Sequence, residues 1–205
     1  MRAHREIFTR EQLKLLPLVK SFHKDFILVG GTSIALHLGH RQSIDFDLFS
    51  LADFDNEKLK RKMVRYGKIQ RTYINLDGEY TIMLNGVKIT FFRFPYTIKA
   101  TNRFEDIARL PNLLTLAAMK VLALGRRSKW KDYVDLYFIL KDHYTLDEIS
   151  KKAESLFGNE FNGRIFREAL GYFDDIDYSE EVVFMPSFEV KDDVIKKELT
   201  KISIQ

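Results

Sequence analysis

The sequence predicts an α/β chain of the α+β kind: a small mixed β-sheet flanked by helices, with a helical part towards the C-terminus. Three observations carry this. The segments "KIQRTYINL", "EYTIMLN" and "VKITFFRF" are rich in β-branched and aromatic residues, and Asn85-Gly86 between the last two is a strong hairpin signal. Apolar residues recur at helical spacing on the N-terminal side of these segments, for instance in "REQLKLLPLVKSF". After Pro95 the composition turns helical.

Taken in order, Thr9 is placed to cap a helix over "REQLKLLPLVKSF", with Glu11 in its first turn. Residues 26–29 read as a short strand or helix end, 32–38 as a short buried helix, and 43–49, "SIDFDLF", as a strand. "NEKLKRKMVRYG" (56–67) is amphipathic and closed by Gly67. Asn112 would cap a helix over 113–124 that Gly125 ends, and 130–141, 146–157, 161–172 and 190–202 follow as helices. Residues 1–95 are thus expected to hold the sheet, and 96–205 a helical part that completes one compact unit.

At 205 residues the chain can bury a substantial core, and 45% hydrophobic against 30% charged residues argues against disorder. The absence of cysteine excludes a disulfide scaffold and a cysteine-ligated zinc site. The longest apolar run, Leu113 to Leu124, is too short to span a bilayer and carries Lys120, and "MRAHREIFTREQ" has no apolar signal core. A cytoplasmic protein without a membrane partner is the expectation. A net charge of +4 permits a nucleotide or nucleic-acid partner without demanding one.

The chemistry is expected in "GGTSIALHLGHRQSIDFDLFS" (30–50). Asp45 and Asp47 alternate on one strand, so both carboxylates face one side while Ile44, Phe46 and Leu48 face the other. Two like charges so close repel unless a cation joins them. Mg²⁺ suits such a pair, because it prefers carboxylate oxygens together with substrate phosphates. Gly30 and Gly31 admit a close ligand, and with Thr32 opening a helix they leave N–H groups aimed at an anion. A tight turn, with both aspartates paired to Arg41 or other basic residues, is the plainer alternative. No "GxxxxGK[ST]" or "GxGxxG" occurs, which removes the two commonest phosphate loops.

Further along, "NLLTLAAMKVLALG" is apolar around nearly its whole circumference, with Lys120 its only charge. "RRSKWKDYVDLYFIL" follows, with Asp132 and Asp135 three apart on one helical face. Asp132 can serve the helix N-terminus. A buried Lys120–Asp135 ion pair tying two helices together is one reading, and an anion held by Lys120 is another. Arg126, Arg127, Lys129 and Lys131 form a basic cluster suited either to a phosphate backbone or simply to solvent.

Both motifs together resemble the polymerase-β-type nucleotidyltransferases, and more narrowly the AbiEii/AbiGii toxin family. "GGT…LHLGHRQSIDFDLF" and "AAMKVLALGRRSKWKDYVDLYFIL" follow that family's two signatures. The resemblance runs from about residue 26 to "YFDD" at 172–175. It implies the nucleotidyltransferase fold, with two Mg²⁺ ions on Asp45 and Asp47 and the nucleotide's phosphates at Gly30, Gly31 and Thr32. Arg41 and Ser43, matching "HRxS", would contact phosphate or orient the aspartates. His37 and His40 read instead as structural residues of the loop before the strand. Lys120 would meet the triphosphate of an NTP, Asp135 would complete the catalytic set, and Asp132 would assist.

The implied reaction moves an NMP from NTP to an acceptor and releases pyrophosphate. The acceptor would be RNA, a tRNA 3′ end being one candidate. The protein would be the toxin of a toxin–antitoxin (abortive infection) pair, restrained by an antitoxin encoded nearby. Transfer to a small molecule such as an aminoglycoside, or a non-catalytic nucleotide- or RNA-binding module, are the alternatives. The motive for the last is that "VKITFFRF" has Thr90, and no acid, where the superfamily places a third carboxylate. Asp135 is the residue that could compensate.

Overall fold

The computed structural model describes residues 3–124 and 128–205. Gly125, Arg126 and Arg127 therefore lie outside the described residues, the expected helix stop and two members of the basic cluster among them. The chain divides into two compact units, Met1–Asn112 and Leu113–Gln205.

The first unit opens with α1 (Arg10–Ser21), capped by Thr9. Glu11 lies in the first turn as expected, and the reciprocal partner of the cap is Gln12, because a capping box closes on the third helical residue. Strand β1 (Ile27–Val29) runs directly into α2 (Gly30–Leu38), and β2 (Asp45–Ser50) returns antiparallel to β1. Helix α3 (Asn56–Met63) is capped by Asp55 and stops four residues short of Gly67. Strands β3 (Ile69–Leu76), β4 (Glu79–Leu84) and β5 (Val87–Arg93) follow. The turn between β4 and β5 has φ of 49° at Asn85 and 79° at Gly86, the left-handed pair that matches the twist of a hairpin.

The five strands lie in the order β1-β2-β5-β4-β3, and all neighbours are antiparallel except β2 and β5. That parallel pair is the crossover that makes the sheet mixed. Alternation divides the sheet cleanly: Phe46, Leu48, Ile89 and Phe91 are buried on one face. Asp45, Asp47 and Phe49 of β2, with Lys88, Thr90 and Phe92 of β5, lie on the other and are partly exposed. Edge strand β3 is bulged and largely solvent-facing, which discourages further pairing. One expectation is corrected here. The stretch after Pro95 does not go straight into helix: β6 (Asn102–Phe104) and β7 (Ala108–Leu110) form a separate hairpin, and β7 packs by β1. Short three-residue strands carry too little periodicity to be read from a sequence.

The second unit is helical: α4 (Leu113–Leu124), α5 (Trp130–Asp142), α6 (Leu146–Phe157), α7 (Gly163–Gly171) and α8 (Asp192–Ser203). Helix α4 is buried on almost every side, as its composition requires, and contacts α5, α6 and α7. The segment between α7 and α8 lays aromatic rings on α5, with Phe173 against Tyr133, Tyr178 against Trp130, and Phe184 and Phe188 against Phe138. Among the described residues no helix is long and apolar enough to cross a membrane.

Candidate active site

The glycine turn, the loop before β2 and β2 itself meet at one point. Gly30 has φ of 68°, in the left-handed region, which lets the chain turn abruptly from β1 into α2. It also leaves room for a neighbour, since a Cβ there would stand 2.1 Å from Asp47 Oδ2. Gly31 does the same for Arg41, whose Nη2 would lie 2.6 Å from an added Cβ. The two glycines thus bring the first turn of α2 against an anionic and a cationic side chain at once. Gly30→Ala should destabilise the unit by about 1–2 kcal/mol, the order of the penalty for a left-handed non-glycine residue. It should also displace the Asp47 carboxylate. Denaturant unfolding and transfer activity check the two effects separately.

Thr32 and Ser43 act as pins. The buried Thr32 hydroxyl donates to the Asp45 backbone carbonyl and lies 2.8 Å from Ser43 Oγ, which ties α2 to the start of β2. Arg41 is only 4% exposed, and its Nη1 donates to the Gln42 carbonyl at 2.9 Å. Its charge is therefore held in place beside the N-terminus of α2. His40 is buried in the loop before β2, and His37, inside α2 rather than in that loop, donates to the Pro111 carbonyl at 3.0 Å.

On β2 the carboxylates of Asp45 and Asp47 share the partly exposed face. The parallel register sets Asp45 beside Lys88 and Asp47 beside Thr90. Lys88 Nζ is 3.0 Å from Asp45 Oδ2. The pairing anticipated for the aspartates thus exists at Asp45, with Lys88 as the cation. Lys88 is visible in the sequence two residues before Thr90, but nothing in the sequence states which β2 residue it meets.

The donor set suits a divalent ion held partly by its substrate. It has two carboxylates on one face, and beside Asp47 a helix N-terminus that favours phosphate. Among the described residues, no group of three or more acids or histidines is placed to hold a metal by itself.

In the second unit, α4 and α5 meet through charge. Lys120 Nζ lies 2.7 Å from Asp132 Oδ1 and 2.9 Å from Asp135 Oδ2. The lysine is 4% exposed and both carboxylates are fully buried. The anticipated Lys120–Asp135 pair is therefore a triad. Asp132, three residues into α5, serves Lys120 as well as the helix end.

The basic cluster has a partner that the sequence concealed. Lys129 and Lys131 both bind the carboxylate of Glu180. Burial alone would raise the pKa of Glu180, but the two ammonium groups win and hold it down at about 2. Because its folded pKa lies below the unfolded value of 4.5, its contribution is complete above about pH 4.5 and disappears as the pH falls towards 2. Glu180→Gln should cost about 1 kcal/mol at pH 7, the upper range for a half-exposed pair. The cost should shrink steadily as the pH falls from about 4.5 towards 2, and urea unfolding across that interval measures the difference.

A cleft of about 650 Å³ opens in the first unit beyond the C-terminal end of β2, with the rings of Phe49, Phe54, Phe94 and Tyr96 in its walls beside both lysines (Lys24, Lys58) and aspartates (Asp25, Asp53, Asp55). Phe49 continues the face that carries Asp45 and Asp47, and its ring lies 5.0 Å from that of Phe94, which lies 5.3 Å from Tyr96. Half-buried rings beside lysines can stack a base and meet its phosphate.

Comparison with known proteins gives the fold and the family. The chain is 30% identical over 173 residues to an uncharacterized protein of Aquifex aeolicus, covering 81% of this chain and 83% of that one. Its fold is that of JHP933 from Helicobacter pylori, with a TM-score of 0.58 at 15% identity over 95% of this chain and 89% of that one. It is also that of MenT4, a nucleotidyltransferase toxin from Mycobacterium tuberculosis, with a TM-score of 0.57 at 14% identity over 94% and 80%. The family model described as "Nucleotidyl transferase AbiEii toxin, Type IV TA system" matches residues 18–193, and the chain belongs to that family.

Proposed function

We propose that this chain is a Mg²⁺-dependent nucleotidyltransferase that moves an NMP from an NTP to RNA, with a tRNA 3′ end as the preferred acceptor. One observation carries the reading: Gly30, Gly31, Arg41, Asp45 and Asp47 converge where β1 turns into α2. An NTP brings phosphates that need N–H donors and a cation, and a metal that needs carboxylates. In this reading Gly30, Gly31 and Thr32 present the N-terminus of α2 to the phosphates, and Arg41 adds a fixed positive charge, seated with Ser43. Asp45 and Asp47 hold Mg²⁺, which when bound neutralises the phosphate charge during transfer. The acceptor hydroxyl gives up its proton to solvent, its oxygen bonds to the α-phosphorus, the bond from that phosphorus to the α,β-bridging oxygen breaks, and pyrophosphate departs.

By the family's second signature, Lys120 is proposed to meet the triphosphate. Asp132 and Asp135, both paired with its ammonium, are proposed as the residues that orient it. The aromatic rings of the cleft support an RNA acceptor, because unpaired bases stack on such rings. As a member of a type IV toxin family, the protein is proposed to act as the toxin opposite an antitoxin encoded beside it.

The test supplies the purified full chain with each labelled NTP, Mg²⁺ and total tRNA, beside an Asp45→Asn/Asp47→Asn control. Label on tRNA that vanishes in the control is the expected result. Label on an added aminoglycoside alone would replace the acceptor, and Mg²⁺-dependent NTP binding without any transfer would replace the enzyme by a binding module.

A further inference from the structure

The acid pair meets a lysine where the resemblance leads one to expect a carboxylate-rich site for two ions. Lys88 faces Asp45 across the β2–β5 ladder, with Nζ 3.0 Å from Oδ2, and Thr90 faces Asp47. This is not a chance meeting of two flexible surface groups. The register is set by the buried neighbours Phe46 and Ile89, and a slip by one residue would turn the apolar set of the slipped strand outward. The Asp45 side chain is 13% exposed and that of Lys88 32%, so the pair is only partly screened by water.

Formal charge then decides how many ions fit. Three carboxylates with two divalent ions sum to +1. Two carboxylates, one lysine and one divalent ion also sum to +1. Two carboxylates, one lysine and two divalent ions reach +3 in a partly buried site, where like charges a few ångströms apart repel strongly.

We propose that this centre takes a single divalent ion and that the ammonium of Lys88 stands in for the second. The inference rests on the nucleotidyltransferase reading and deepens it. It gives Thr90 a reason: with Lys88 beside Asp45, a third carboxylate is not needed to hold a second ion. Lys88 then has two tasks, to neutralise Asp45 and to present a fixed positive charge to the phosphates carried by the one remaining ion.

The test counts ions. The full chain is saturated with a non-hydrolysable α,β-methylene NTP, each of the four bases in turn, and titrated with Mn²⁺. Bound metal is read from the loss of the free-ion paramagnetic resonance signal. The wild-type complex should hold one Mn²⁺. Lys88→Glu, which adds the third carboxylate, should hold two. Lys88→Met should hold one and bind the nucleotide at least tenfold more weakly, with Lys88→Arg restoring most of the affinity. Circular dichroism establishes that each variant is folded.

Two ions in the wild-type complex, or Lys88→Met binding the nucleotide as tightly as wild type, would overturn the assignment. If no analogue binds the wild-type chain in the presence of Mn²⁺, the nucleotidyltransferase reading itself fails, which is a different result from a count of two.

Discussion

Replacing Asp45 and Asp47 together by asparagine should abolish nucleotide transfer, by a factor of at least about 10³, while the chain remains folded. Asparagine keeps the shape of aspartate and removes its charge, so the contact with Gly30 and the β2 register survive. The loss is chemical. Two neutral amides cannot hold Mg²⁺ against water, and without the ion the negative charge on the transferring phosphate is uncompensated. Removing one preorganised electrostatic group from an active site typically costs 10²–10³ in rate, and here both ligands of the ion go at once. Single-turnover transfer of labelled NMP measures the effect, with far-ultraviolet circular dichroism as the control for folding. A folded double variant that retains even a tenth of wild-type transfer would remove the two aspartates from the chemistry.

The second large effect concerns stability. Lys120→Met should destabilise the helical unit by about 3–5 kcal/mol, the usual cost of leaving a buried ion without its partner. Here Asp132 and Asp135, both fully buried, each lose their contact with the ammonium. At about 4–8 °C per kcal/mol for a unit of this size, the melting temperature should fall by more than 10 °C.

The triple variant Lys120→Met/Asp132→Leu/Asp135→Leu should recover most of that loss, because well-packed apolar residues can replace a buried ion cluster at little or no cost. It should still fail to transfer nucleotide if Lys120 serves the triphosphate. Calorimetry and the transfer assay on the same two variants thus divide the structural role of the triad from its proposed catalytic one. Recovered stability with wild-type transfer would leave the triad as a structural tie only.

Much of the first half of the site was legible in advance because its logic is local. Asp45 and Asp47 share a face through strand alternation, and a glycine pair before a helix announces a sharp turn with open N–H groups. The buried triad was half legible. Lys120 in an apolar helix demands an anion, and Asp135 is the one its surroundings single out, but Asp132 has an equally good local explanation at the helix N-terminus. The hairpin β6–β7 was not legible, since its strands are too short to show a period.

Glu180 illustrates a harder limit. It lies 49 residues from Lys131 in a stretch without motif, and only the packing of the segment between α7 and α8 on α5 brings it to the lysines.

By itself the sequence determined the mixed sheet, the helical second half, the family, and the identity of the residues that gather at the glycine turn. These depend on period, on turn chemistry and on motifs whose members lie within about twenty residues of one another. Only the tertiary structure decided what stands opposite those residues. Lys88 is 43 positions from Asp45, and it meets that carboxylate through the register of a parallel strand pair. Register is chosen by the fit of two buried faces, not by any property of Lys88 or Asp45. For that reason the partner of a charged residue in a sheet is a property of the fold.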